Sequence, residues 1–253
     1  MSVNISMNDE KEGFYGEIFQ QKSKNTRGVG RANVTENTQR LELYKTYENV
    51  ISRIPLPKPE FSPDIQLWDI INKRHSTRAF KNDPISEMDL SLLLFGMTGL
   101  TRIFPKFAFR TVPSAGALYP IEVYPVINNV SGIDQGIYHY NIEKHELEYL
   151  KQGDFRKTVS EACYGQRMLA KSAVNFVWTA VIERTRNTYG ERAYRDIYLD
   201  CGHIGQNFYL AAEALGLNAC VVVAYYDDEI NELLDLDEKK EFAVYMGVVG
   251  KKR

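Results

Sequence analysis

Residues Pro113–Ile127 read PSAGALYPIEVYPVI. Ser114, Ala115, Gly116 and Ala117 stand in succession between Pro113 and Pro120, and the chain then enters an apolar run. Glycine and proline punctuate a turn here. Small side chains would let a flat ligand approach the backbone, whose amides, with the Ser114 hydroxyl, can donate hydrogen bonds. A tight structural turn would use the same residues, so the stretch alone leaves both readings open. The apolar run after Pro120 is plainer: IEVYPVI is rich in β-branched and aromatic residues and reads as a strand.

Downstream, GIYHYNIEKHELEYL (136–150) reads as a hairpin with its turn near Asn141–Lys144. Residues 154–172 read as helix with a break at Gly165, and AVNFVWTAVI (173–182) as a strand covered on both faces. LDCGHIGQNFYLAAEALGLNA (199–219) carries few charges and meets Gly216 where a C-terminal cap belongs, so a buried helix is expected. ACVVVAYY (219–226) reads as strand, DDEINELL (227–234) as a short helix led by two acidic residues, and EFAVYMGVVG (241–250) as the last strand. Upstream, Leu67, Trp68, Ile70 and Ile71 recur at helical spacing. DPISEMDLSLLLFGMTGL (83–100) offers Ser86 as N-cap with Asp89 three residues on. TRIFPKFAFRTVPSAGALYP (101–120), framed by proline and glycine without a sustained period, reads as a loop. A hairpin and helices interspersed among apolar strands argue for an α+β fold and against a regular doubly wound sheet.

The chain has 253 residues, 44% hydrophobic and 25% charged, an ordinary globular composition. Residues 1–60 are polar and irregular and read as an N-terminal extension, either wrapped over the rest or held out as an arm, with residues 61–253 as the single domain. Formal charge is 31 − 33 = −2, which gives no general basis for nucleic-acid or acidic-membrane binding. Cys163, Cys201 and Cys220 show neither metal-ligand spacing nor a disulfide framework, so free thiols in a reducing compartment are expected. The opening MSVNISMNDEKEG lacks the pattern of a signal peptide, and no apolar run reaches the roughly 18 residues of a membrane helix. A cytoplasmic location is the expectation.

Three groups of residues could carry chemistry. Arg74 and Arg78, with His75, Ser76 and Thr77 between them, could present several donors to a phosphate or carboxylate, or could be a surface pair. The small-residue turn is the second group. Lys251, Lys252 and Arg253 form the third, able to close over an anion or to fray in solvent. His203 reads as a satisfied structural histidine, and His139 and His145 flank the hairpin turn without ligand spacing. No metal, hydrolase or P-loop motif is present.

Taken together, RHSTRAF, PSAGALYPIEVY, YRDIYLDCGHIGQNFYLAAEALGL and EFAVYMGVVG resemble the nitroreductase superfamily of flavoproteins, in its SagB-type dehydrogenase branch, over residues 66–253. The resemblance implies a mainly antiparallel sheet flanked by helices and an intertwined homodimer with FMN at the subunit interface. Arg74, Ser76 and Arg78 match the arginine-serine-arginine motif around the FMN phosphate and ribityl groups, with His75 where a second arginine often stands. Pro113, Ser114, Ala115, Gly116 and Ala117 match the segment beside the flavin ring, with Leu118 and Tyr119 packing nearby. A Gly116→Leu change is then expected to lose FMN while the chain stays folded. Val222 and Val223, in the strand expected over 221–224, would approach the ring from its other side, and Lys252 and Arg253 match a terminal phosphate-binding group. The implied activity is hydride transfer through flavin N5, either with NAD(P)H and a small-molecule acceptor or as oxidation of azoline to azole in a modified peptide. Azoline oxidases of this branch carry a lysine-tyrosine pair that aligns with Thr188 and Tyr189. Tyr189 is thus the candidate catalytic residue, and the lysine is missing. A non-catalytic flavin-binding module is a third reading.

Overall fold

The apolar strands read from the sequence assemble into one seven-stranded sheet in a computed structural model, which describes residues 14–25, 27, 44–62, 64–104 and 107–253. The opening 13 residues, which lack a signal-peptide pattern, lie outside these. In chain order the elements are α1 (Tyr15–Lys22), β1 (Ser52–Pro55), α2 (Leu67–Lys73), α3 (Glu87–Thr98), β2 (Leu100–Phe104), β3 (Phe107–Arg110), β4 (Ile121–Ile127), β5 (Gly136–Asn141) and β6 (Glu146–Gln152). There follow α4 (Arg156–Ala162), α5 (Arg167–Lys171), β7 (Val174–Val181), α6 (Ile182–Tyr189), α7 (Ala193–Ala214), β8 (Leu217–Val222), α8 (Asp227–Leu233) and β9 (Glu241–Lys251). The sheet order is β1-β6-β5-β4-β7-β9-β8, and every adjacent pair is antiparallel.

Strand alternation sorts the core into two layers. Ile121, Val123, Phe176, Trp178, Leu217 and Ala219 face α3 and α7, meeting Leu93, Leu94, Ile204 and Phe208. Tyr124, Val126, Val177, Val222 and Met246 face the other way, onto Val159 of α4, Leu169 of α5 and Ile230 of α8. Burial on both sides explains why the central strands read as near-continuous apolar runs. Helix α3 starts at the expected capping box: Ser86 Oγ accepts from Asp89 N at 3.0 Å and Asp89 Oδ2 from Ser86 N at 3.0 Å. Gly216 ends the α7 region with φ +66°. The three cysteines are buried free thiols.

The loop expected over 101–120 is corrected. Its first half is a two-stranded hairpin, with Leu100 opposite Arg110 and Phe104 opposite Phe107. Aromatic and β-branched residues favour strands, and the Phe104 and Phe107 rings stack at 4.6 Å. The strand expected to run through Tyr226 stops at Val222. The leading segment contributes β1, the sheet's edge strand, and α1, which docks on the start of α7: Arg192 donates to the Ser23 carbonyl at 3.1 Å and Arg195 to that of Gln20 at 2.6 Å. Among the described residues no helix is long and apolar enough to cross a membrane.

Candidate active site

The small-residue turn is held from α7 by a residue that the sequence reading did not assign. The buried Asp200 carboxylate accepts from Ser114 Oγ and, at 3.2 Å, from the Ala115 amide, while Ser114 Oγ accepts from Tyr119 N at 2.9 Å. Burial raises the Asp200 pKa, opposed by these hydrogen bonds. Between the anchors the backbone coils left-handed: Gly116 has φ +62°, and Ala117 and Tyr119 follow at +53° and +46°. Non-glycine residues rarely adopt such angles, so the turn is strained and held by its partners.

Tyr189, at the end of α6, reaches this turn. A Cβ on Gly116 would lie 2.6 Å from the Tyr189 hydroxyl. A side chain at this position is therefore disfavoured both by the backbone angle and by the Tyr189 hydroxyl. At the other end of the turn the buried Arg184 of α6 donates to the Tyr119 carbonyl at 3.2 Å and pairs with Glu122 of β4. Burial alone would raise the Glu122 pKa, but Arg184, then His139 and Arg110, hold it down at about 2. His139 is wholly buried, with Nε2 3.1 Å from Glu122 and Nδ1 2.9 Å from Glu148. Burial disfavours its charged form, yet the two carboxylates raise its pKa. Arg110 stacks on the Tyr119 ring at 4.9 Å, and burial lowers its pKa to about 10.

The arginine motif gathers around a second residue of α7. Tyr209 lies under the Arg74 guanidinium at 5.1 Å, shares a 2.8 Å hydrogen bond with Ser76 Oγ, and accepts from the Val221 amide at 2.9 Å. Thr77 N donates to the Ala219 carbonyl at 2.8 Å, tying the motif to β8. The C-terminal strand arrives here too: Phe80 bridges Lys252, whose Nζ meets Glu213 at 3.1 Å. Among the described residues neither Arg74 nor Arg78 has a carboxylate partner. His75 turns its Nδ1 to within 2.9 Å of the Lys73 carbonyl. Val222 is buried in the second core layer, so only its backbone can line a site, whereas Val223 is 76% exposed.

The structure thus brings Arg74, Ser76, Val221 and Lys252 into one cluster, and Pro113–Leu118, Tyr189 and Asp200 into another. It does not merge them. Asp200 and Tyr209 are nine residues apart, about 14 Å along α7 and about half a turn around it. Between them runs an exposed stripe of α7 with Tyr198 (55% exposed), Leu199 (63%), Gly202, His203 and Gln206. His203, expected as a satisfied structural histidine, is exposed on this stripe, one helical turn beyond the buried Asp200. Trp68 of α2, 78% exposed, adds apolar surface. Among the described residues no group of histidine, cysteine and carboxylate side chains could hold a metal.

Residues 71–251 match the Nitroreductase family. The provisionally named nitroreductase MJ1384 of Methanocaldococcus jannaschii is 36% identical over 199 residues, which span 79% of this chain and 96% of that protein. The trifolitoxin-processing protein TfxB of Rhizobium leguminosarum bv. trifolii is 34% identical over 148 residues, 55% of this chain and 39% of TfxB. A crystal structure from Anabaena variabilis, also provisionally named a nitroreductase, superposes with a TM-score of 0.76 at 25% identity, over 94% of this chain and 47% of that one. This chain therefore spans less than half the length of the last two. Since the matched residues run from α2 to the end of β9 and take in the turn, α7 and the arginine motif, the chain belongs to the nitroreductase family.

Proposed function

We propose that this chain is an FMN-dependent oxidoreductase of the SagB-type branch, working as a homodimer. The observation that carries this reading is the pair of clusters flanking the exposed stripe of α7: Arg74, without a carboxylate partner among the described residues, over Tyr209 on one side, and a strained, amide-rich turn on the other. The donor set suits a flavin nucleotide. Arg74, Ser76 and Arg78 would hold the phosphate and ribityl groups, with Lys252 and Arg253 adding positive charge. The Pro113–Leu118 backbone would lie beside the ring, and the Val222 backbone and Val223 would border it. A two-fold axis that crosses two copies of α7 would bury the stripe and set the turn of one protomer against the arginine cluster of its partner.

Bound FMN would supply the hydride chemistry at N5. The chain's own part is to orient the ring, neutralise the phosphate and exclude water. Tyr189 brings a hydroxyl to the turn from α6, and it would be available for a hydrogen bond or a proton transfer to substrate. The similarity to a trifolitoxin-processing protein favours a second reading, oxidation of azoline rings in a modified peptide. Thr188, at the position aligned with lysine, is no base at neutral pH and weighs against it.

Purification without added flavin, followed by mass spectrometry of the released cofactor, tests the proposal. About one FMN per chain supports it, and a colourless protein that takes up no FMN overturns it. Anaerobic titration with NADH and NADPH then separates the readings. Rapid flavin reduction favours a nicotinamide-dependent reductase, reduction only by a cyclised peptide favours the azoline oxidase, and neither leaves a flavin-binding module.

A further inference from the structure

We propose that Arg184 is the positioning residue for Tyr189, fixing α6 against the 113–120 turn so that the tyrosine hydroxyl stays over Gly116. The inference rests on the reading that places Tyr189 in the active site. Tyr189 is the last residue of α6: Gly190, at φ +58°, ends the helical ladder and opens the short 3-10 turn Gly190–Arg192 that leads into α7. The base of α6 is fixed. Val181 N donates to the Pro120 carbonyl at 2.9 Å and Ile182 N to the Lys240 carbonyl at 3.0 Å. One turn further on, Arg184 reaches both the Tyr119 carbonyl and Glu122.

These contacts make Arg184 a cross-brace. Both bonds leave one guanidinium nitrogen, Nη1, whose planar, delocalised group fixes their directions, whereas the freely rotating ammonium of a lysine on its flexible stem holds two partners less firmly. Its partners are immobilised in turn. Glu122 is held by His139, His139 by Glu148, and Glu148 accepts from Tyr47 N at 3.1 Å and Asn141 Nδ2 at 3.2 Å. Tyr119 is pinned by Ser114 Oγ at its amide and by the Arg110 amide at its hydroxyl, at 3.2 Å. Arg184 closes the loop from the sheet through Glu122 to α6, and from α6 back to the turn. The Val181 amide meets the turn at the Pro120 carbonyl, and the other described polar contacts come from Asp200, from Arg110 or from within the turn itself. Arg184 is the side chain that couples the turn to the helix bearing Tyr189.

The test uses full-length protein carrying 3-fluorotyrosine at position 189 alone, and a control carrying it at Tyr138, a buried core residue stacked on Tyr149. Fluorine NMR is recorded with and without FMN, in the parent and in Arg184→Lys. The expected result is that the resonance at 189 shifts or broadens in Arg184→Lys while that at 138 does not move. An unchanged resonance at 189, or equal changes at both sites, would overturn the proposal, the second by reducing Arg184 to a general structural role. Should Arg184→Lys not fold, the paired Glu122→Gln/Arg184→Gln variant removes both charges together and leaves a neutral hydrogen-bonding pair. The same comparison then applies. With a verified substrate, turnover should fall on the order of tenfold to a hundredfold while FMN affinity stays within about twofold, as expected when a reacting group is displaced by about an ångström. The parent reading fails separately, if Tyr189→Phe leaves turnover unchanged, and that result would not alter the fluorine comparison.

Discussion

Adding one methyl group at Gly116 should have a cost that depends on the hydroxyl of Tyr189. In Gly116→Ala the backbone must hold an L-residue at φ +62°, which costs about 1–2 kcal/mol. The new Cβ also lies 2.6 Å from the Tyr189 hydroxyl, where ordinary contact starts at 3.4 Å, so the two must separate by 3.4 − 2.6 = 0.8 Å. The hydroxyl is at the far end of its side chain and can pivot, so this second contribution is about 1–2 kcal/mol. Gly116→Ala should therefore destabilise the protein by about 2–4 kcal/mol, or about 5–15 °C in Tm for a chain of this size. In a Tyr189→Phe background only the backbone contribution remains, and the double-mutant cycle should show a coupling of about 1–2 kcal/mol. Urea unfolding of the flavin-free protein measures it. Additivity within about 0.5 kcal/mol would refute the contact between the turn and α6. Gly116→Leu, expected from sequence to lose FMN with the fold intact, should instead lose stability as well, because the strain is present without any ligand.

The same geometry has other consequences. Asp200→Ala leaves the Ser114 hydroxyl and the Ala115 amide without their acceptor and should cost about 2–4 kcal/mol, with Asp200→Asn costing less; thermal unfolding of both variants checks this. Arg78→Ala should weaken FMN binding roughly tenfold to a hundredfold by flavin fluorescence with little change in Tm, since no carboxylate of the described chain relies on it. Arg74→Ala should do the same and also lose the packing on Tyr209. His139 has its pKa raised in the folded state, so its contribution is fully present below the ordinary value of 6.5 and is lost as pH rises through the raised value. Tm should accordingly fall as pH rises above 6.5, and His139→Gln should flatten that slope.

Much of this architecture can be read from residue patterns, and the exceptions have identifiable causes. Strands β4, β7 and β9 are buried on both faces, so their apolar runs stand out. Helix α3 carries its start signal in Ser86 and Asp89. The β2–β3 hairpin was hidden because proline and glycine suggest a loop, whereas stacking of Phe104 on Phe107 across the strands decides its conformation. Asp200 was within view in LDCGH, and a carboxylate on the buried side of a sparsely charged helix is a signal that could have found it. What the sequence does not give is the phase of α7 against the sheet, and that phase buries Asp200 while exposing His203. Arg184 and Glu122, distant in sequence and unremarkable in composition, become a pair only when β7 lies antiparallel on β4 and sets the start of α6 beside the first residues of that strand. The arginine motif and the turn both read as binding elements, but their placement half a turn apart on α7 is a property of the folded chain.

That placement makes the central claim directly testable. If each FMN is held between the arginine cluster of one protomer and the turn of its partner, a chain lacking Arg74 and Arg78 and a chain lacking Asp200 should complement each other. Arg74→Ala/Arg78→Ala and Asp200→Ala chains would be co-expressed with different tags and the mixed dimer purified through both. Each variant alone should be nearly free of flavin, while the mixed dimer, with one intact and one doubly defective site, should hold about one FMN per two chains. A mixed dimer as empty as its parents would contradict the account and assign each site to a single chain.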